Sequence, residues 1–134
     1  STVISDPING TVNPKAIPGA IVEYAITVSN VGSRDVDSSS IIITDIMPPD
    51  MAFATGTPIT FTNGSTDSGL STFNAATMVR FSSQTGELAP YNYSPTGAFD
   101  ADVRGIRIAP TGKMKAAKAT TQPSFTIRFR ARVQ

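Results

Sequence analysis

Residues 124–134 read SFTIRFRARVQ, and the order of residue types there decides the class of fold. Phe125, Ile127, Phe129, Ala131 and Val133 fall on one side of an extended chain, and Thr126, Arg128, Arg130 and Arg132 on the other. Successive side chains of a strand point to opposite faces, so this period of two describes a long antiparallel strand with one face on a core. Residues 20–30, AIVEYAITVSN, repeat the pattern, with Val22, Tyr24, Ile26 and Val28 facing one way and Glu23, Ala25 and Thr27 the other. Ile17-Pro18-Gly19 introduces this second strand and Asn30-Val31-Gly32 ends it, using residue types suited to tight turns.

Outward from these two strands, β-rich segments follow at Met51–Ala54, Ile59–Thr62, Met78–Ser82 and Val103–Ala109, at the spacing of an all-β sandwich. Ile41-Ile42-Ile43 is a continuous apolar run closed by Pro48-Pro49, so a strand covered on both faces or central in its sheet is expected there. The opening STVISDPING offers Val3, Ile4 and Ile8 among the turn residues Pro7 and Asn9-Gly10. Residues 1–12 are therefore expected to be a first strand and turn, or a strand donated to a neighbour's sheet. Residues 62–77 and 82–101, rich in Gly, Ser, Thr, Asn and Pro, are expected to form surface loops or irregular edges. Helix signals are missing; residues 113–119 are too short and lack an apolar stripe. The expectation is one domain over residues 1–134.

Composition narrows the function. With 134 residues, 40% of them hydrophobic, the chain suffices for one core, and no apolar run approaches the ~20 residues that cross a bilayer. Membrane insertion is not expected. The chain opens on Ser1 with no apolar leader, the expectation for a cleaved, exported form or a trimmed piece. Cys and His are both absent, which excludes disulfides, thiolate and imidazole ligands, and every catalytic arrangement built on them. No enzyme is expected; the surviving alternative is a hydrolase working with two carboxylates, whose separation is a three-dimensional property.

The net charge is only +1, but residues 1–100 hold three basic and nine acidic residues and residues 101–134 hold eight basic residues against Asp102. Early and late strands lie side by side in a sandwich, so the two halves are expected to pair. Nucleic acid is not an expected partner, because the basic residues alternate with buried-type Ile, Phe and Val rather than with stacking platforms. Arg128, Arg130 and Arg132 form a one-sided ladder that either guards an exposed surface or makes half of a subunit contact, and it calls for an acidic counter-surface. With Val3, Ile4 and Ile8, these arginines are the candidate assembly residues.

Asp35-x-Asp37 and Asp100-x-Asp102 are the candidates for calcium, which takes clustered oxygen ligands from loops, but the EF-hand spacing is absent and solvated surface acids fit as well. No other cofactor is expected. Asp45, read as a strand end before a turn, is expected to cap backbone N–H groups. Asn9, Asn63 and Asn92 head Asn-x-Ser/Thr sequences and are candidate glycosylation sites.

Pro18-Gly19, Tyr24-x-Ile26-x-Val28, Asn30-Val31-Gly32, Ile41-Ile42-Ile43-Thr44-Asp45 and Met47-Pro48 follow one another in an order that, over about residues 14–55, resembles the conserved repeat called domain of unknown function 11 in bacterial and archaeal surface proteins. The resemblance implies an immunoglobulin-like antiparallel β-sandwich, secreted or at the cell surface, with no catalytic residue or cofactor. The long middle loops and the Arg-rich last strand depart from the repeat pattern. The expected function is that of a non-enzymatic, self-assembling subunit of a cell-surface filament or matrix, held by strand and charge complementarity to copies of itself or to neighbouring surface domains. The alternative is an adhesive or carbohydrate-binding module using Tyr91, Tyr93 and Phe99 as platforms.

Overall fold

The computed structural model of the chain describes residues 1–85 and 89–134; residues 86–88, within the stretch 82–101 expected to be loop, lie outside the described residues. In chain order the elements are β1 (Thr2–Ser5), β2 (Ile21–Ser29), β3 (Ile43–Ile46), β4 (Met51–Ala54), β5 (Thr60–Asn63), the single turn α1 (Ala75–Met78), β6 (Val79–Ser82), β7 (Phe99–Asp100), β8 (Gly105–Ile108) and β9 (Ser124–Val133). The larger sheet has the order β1-β2-β9-β4-β7, with β5 also paired to β9, and the smaller the order β3-β8-β6. All the pairings between these strands are antiparallel, and the sheets pack against each other as an all-β sandwich.

β9 is the axis of the larger sheet. Its register with β2 is unbroken from Ile21↔Arg132 to Ser29↔Ser124. Its other edge is shared, β4 pairing with residues 131–133 and β5 with residues 125–128. Between them residues 55–59, which include Gly56 and Pro58, leave the ladder, as a proline without an N–H favours.

The alternation read from the sequence is the alternation of burial. Phe125, Ile127, Phe129 and Ala131 point into the core, where Val79, Ile106 and Ile108 of the smaller sheet meet them. Rings pack within and between the layers: Tyr24 stacks on Phe129 within the larger sheet with centroids 5.1 Å apart, and Phe53 meets Phe81 across the sheets at 5.0 Å. Phe61 lies between Phe125 at 4.8 Å and Phe73 at 5.5 Å. Such pairs contribute about 0.5–1.5 kcal/mol each beyond the area they bury.

Several expectations are corrected. The run Ile41-Ile42-Ile43 leads into an edge strand, not a central one: among the described residues β3 pairs only with β8, and Ile42 is 62% exposed. The run divides between two faces, Ile41 and Ile43 packing on the core and Ile42 facing out. Asp45 lies within β3 opposite Ile106, so it follows no strand end. Residues 62–77 are not merely surface loop. Leu70 and Phe73 pack against the core, and Asn74 caps α1 by accepting the Ala76 N–H at 3.0 Å, placing one helical turn before β6. Met114, within a stretch read as lacking apolar order, is 1% exposed.

Candidate functional site

The outward face of the larger sheet carries the arginine ladder. The β2–β9 register sets Glu23 opposite Arg130 and Ala25 opposite Arg128. The Glu23 carboxylate accepts from Arg130 Nε at 3.1 Å, and its other oxygen lies 3.6 Å from Arg128 Nε. Arg132 instead covers the ring of Phe99, its guanidinium carbon 4.3 Å from the centroid, a cation–π contact made possible because β7 brings Phe99 beside β4. The expected counter-surface is thus one acid and one aromatic ring of the same chain. Lys115 and Asp67, 3.8 Å apart, make a second pair between the late and early parts of the sequence.

The paired aspartates of each Asp-x-Asp motif separate in role. Asp100 is buried, and accepts the Thr96 N–H at 2.7 Å, the Asp102 N–H at 2.8 Å and the Tyr93 hydroxyl at 2.9 Å. Burial pushes its carboxyl up, but these bonds outweigh burial and leave it below the ordinary value. The bond to Asp100 in turn raises the Tyr93 hydroxyl. Asp102 is exposed, as are Asp35 and Asp37; Asp35 accepts the Ala116 N–H at 2.8 Å and the Asp37 carbonyl takes Ser40. Among the described residues no three acids gather where a metal ion would need them.

Asp6, to which the sequence reading assigned no role, organises the N-terminal hairpin. One of its carboxylate oxygens accepts the Ile8 and Asn9 N–H groups, both at 2.7 Å, and the other accepts the Lys15 N–H at 2.6 Å and the Asn9 carboxamide at 3.0 Å. The Asn9 N–H foremost, with its carboxamide and the other donors, holds this carboxyl well below the usual range. The signal in the sequence was Asp6-Pro7-Ile8-Asn9-Gly10, where Gly10 takes φ +61°.

The assembly candidates fall in different places. Val3 and Ile4 belong to β1, half-buried in their own sheet, with Thr2 opposite Glu23 and Val3 opposite Val22; Ile8 stands on the hairpin, exposed. Of the sequon asparagines, Asn9 holds Asp6, Asn63 holds Asp67 and Ser68, and Asn92 is exposed. Tyr91 and Phe99 each carry an arginine over the ring, Arg107 at 5.2 Å over Tyr91. An open groove of about 510 Å³ runs past Arg80, Tyr91, Asn92 and Tyr93, beside an apolar cleft of about 230 Å³ floored by Phe53, Val79 and Phe81.

The edge of β3 was missed as a site. The Met47 N–H reaches the Arg104 carbonyl at 2.9 Å, extending the register Ile46↔Gly105 by one residue. Backbone groups of an antiparallel strand alternate sides, so Ile43, Asp45 and Met47 address β8, and Ile42, Thr44 and Ile46 direct theirs outward. No described residue pairs with that outer edge. On the solvent side Ile46 of β3 and Ile42, the residue before the strand, are 65% and 62% exposed, while inward Asp45 is half-buried, its carboxyl pushed up by burial against the opposing Ile46 N–H. Tyr24, facing it from β2, is likewise raised by burial and by the Asp45 charge.

No family model matches the chain, and neither a curated protein nor a solved structure matches it. No helix among the described residues is long and apolar enough to cross a membrane.

Proposed function

We propose that this chain is a non-enzymatic structural domain of the extracellular surface, of immunoglobulin-like type, that assembles with copies of itself. The observation that carries the reading is the outer edge of β3, unpaired among the described residues, with Ile46 on the strand and Ile42 just before it exposed to water. Proteins that stay monomeric blunt such edges with outward charge, proline, a covering loop, a very short strand or an inward-pointing charge. Here the outward residues Ile42, Thr44 and Ile46 carry neither charge nor proline, and the shortness of β3 and the inward Asp45 limit how far the pairing can extend. The resemblance of residues 14–55 to surface-protein repeats supports the same setting. Supporting a non-enzymatic role, the buried acids Asp6 and Asp100 spend their oxygens on backbone N–H groups of their own loops.

Sedimentation velocity over a range of protein concentration, with negative-stain electron microscopy of the same samples, tests this reading. Growth of dimers or larger particles with concentration is the expected result; a monomer at every concentration overturns it. Strand donation by the N-terminus is a separate route. If assembly persists with the fold intact after removal of residues 1–8, donation of β1 is not the mechanism.

The second reading, an adhesive or carbohydrate-binding module, draws on the groove past Tyr91, Asn92 and Tyr93. A glycan array probed with the intact chain tests it, and binding lost on Tyr91→Ala is its expected signature.

A further inference from the structure

We infer that β3 is the assembly edge itself, where two copies of this chain pair antiparallel about a two-fold axis through Thr44. The inference rests on the reading of the chain as a self-assembling subunit and specifies its contact.

The sequence around Thr44 is self-complementary in that register. Antiparallel pairing centred on Thr44 sets Ile42 opposite Ile46 of the second copy and Ile46 opposite Ile42, with the two Thr44 residues face to face. These are the residues whose backbone N–H and C=O groups point to the free edge, so each becomes a hydrogen-bonded pair exchanging two bonds, about six in all. On the solvent face the four isoleucines, each largely exposed in the single chain, cover one another. On the inward face Asp45 lies opposite Ile43 rather than opposite its own copy, which keeps like charges off the directly facing positions. Moving the register by two residues in either direction destroys this. A slip one way sets Ile42 against Thr44; the other way sets Ile46 against Thr44 and Asp45 against its own copy, leaving isoleucines unpaired in both cases.

The other exposed apolar residues offer no such pattern. Ile8 and Val12 flank a hairpin turn and Val31 sits in the turn after β2, each apart from a free strand edge. Pairing at β3 also continues an existing layer, joining the β3-β8-β6 sheet of one copy to that of the other. A contact of one short strand buries less than the ~1,200 Å² of a standard stable interface, so the pairing is reversible and short-lived. Being two-fold, it closes at a dimer, and longer assembly takes a second contact elsewhere on each copy.

The chain contains no cysteine, so one introduced thiol reports the axis without background. Facing residues of a hydrogen-bonded antiparallel pair have Cα atoms ~5.5 Å apart, within the span a disulfide bridges. Under mild oxidation, Thr44→Cys is expected to form a disulfide-linked dimer about ten-fold faster than Ser65→Cys, whose thiol stands exposed in the loop after β5. Ile42→Lys together with Ile46→Lys, added to Thr44→Cys, is expected to return the rate to that of Ser65→Cys, with an unchanged melting curve showing the fold intact. Cross-linking no faster than the Ser65→Cys control, or insensitive to the lysines, overturns the β3 axis. Sedimentation of the unsubstituted chain separates the two failures. Particles larger than a monomer without a Thr44→Cys cross-link leave self-assembly standing through another surface, whereas a monomer without a cross-link removes both.

Discussion

The Glu23 carboxylate bridges Arg128 and Arg130, at 3.6 Å and 3.1 Å from their Nε atoms, on the outward face of β2 and β9. One acid thus relieves repulsion between two guanidinium groups held on one face of a strand. The arginines are more than two-fifths exposed, so solvent screens the pair and its contribution is about 0–1 kcal/mol. Glu23→Gln is expected to lower stability by less than about 1 kcal/mol at low ionic strength, and the loss should fade as salt is added. Urea melts at two ionic strengths check this; a loss that grows with salt contradicts the bridge.

Phe129 is buried in the central strand, stacked on Tyr24 and tilted against Phe53. Phe129→Ala leaves a cavity that neighbours on two sheets cannot fill, and is expected to cost about 3–5 kcal/mol. Arg128→Ala, one residue away on the other face, should cost under about 1 kcal/mol. Equilibrium denaturation of both variants measures the contrast that the alternation of β9 requires.

Acid titration should show two opposed contributions. Burial raises the Asp45 carboxyl, so the folded chain holds that proton more tightly than the unfolded one. Below the ordinary value near pH 4 both states are protonated and nothing is lost. As pH rises from there through the folded value, ionisation favours the unfolded chain, and the penalty persists at neutral pH. Asp6 and Asp100 are lowered, so their stabilisation is complete above the ordinary value and disappears as pH falls through the folded one. Asp45→Asn is therefore expected to raise the melting temperature at pH 7 and to lose its advantage towards pH 3. Asp6→Asn is expected to lower it at pH 7, with the difference narrowing in acid. Melting temperatures against pH for the three chains decide it.

Gly112 takes φ +91°, and a Cβ there would stand 2.8 Å from Ser71 Oγ and 2.9 Å from the Ser71 backbone nitrogen. Gly10, at φ +61°, has open space around the same position. Both alanine variants suffer the backbone strain, on the order of 1 kcal/mol, but only Gly112→Ala must also move a neighbouring chain. The expected order of melting temperatures is Gly10→Ala above Gly112→Ala, and the reverse order contradicts the close approach.

Much of this was legible because β2 and β9 alternate strictly, and one buried face allows only one register parity. The three isoleucines at 41–43 were not. A continuous apolar run fits a central strand and the start of an edge strand equally, and it is the absence of a second neighbour for β3 among the described residues that separates them. Asp100 and Asp102 share a motif, yet one is buried and the other exposed, because the chain folds Thr96 and Tyr93 back onto the first. Charge segregation foretold an acidic partner for the arginines, but its identity as Glu23 needed the β2–β9 register, set by contacts about a hundred residues apart.

β9 comes last in sequence and stands in the middle of the larger sheet, with β2 on one edge and both β4 and β5 on the other. Until residues 124–133 arrive, β2 and β4 have no common neighbour, and the aromatic cluster around Phe129 has no centre. The nascent chain therefore lacks its larger sheet until β9 has been made, and the sheet then closes through distant pairings, which form on the slow side. A chain cut short of residue 124 lacks the strand that joins β2 to β4 and β5 and cannot build that sheet.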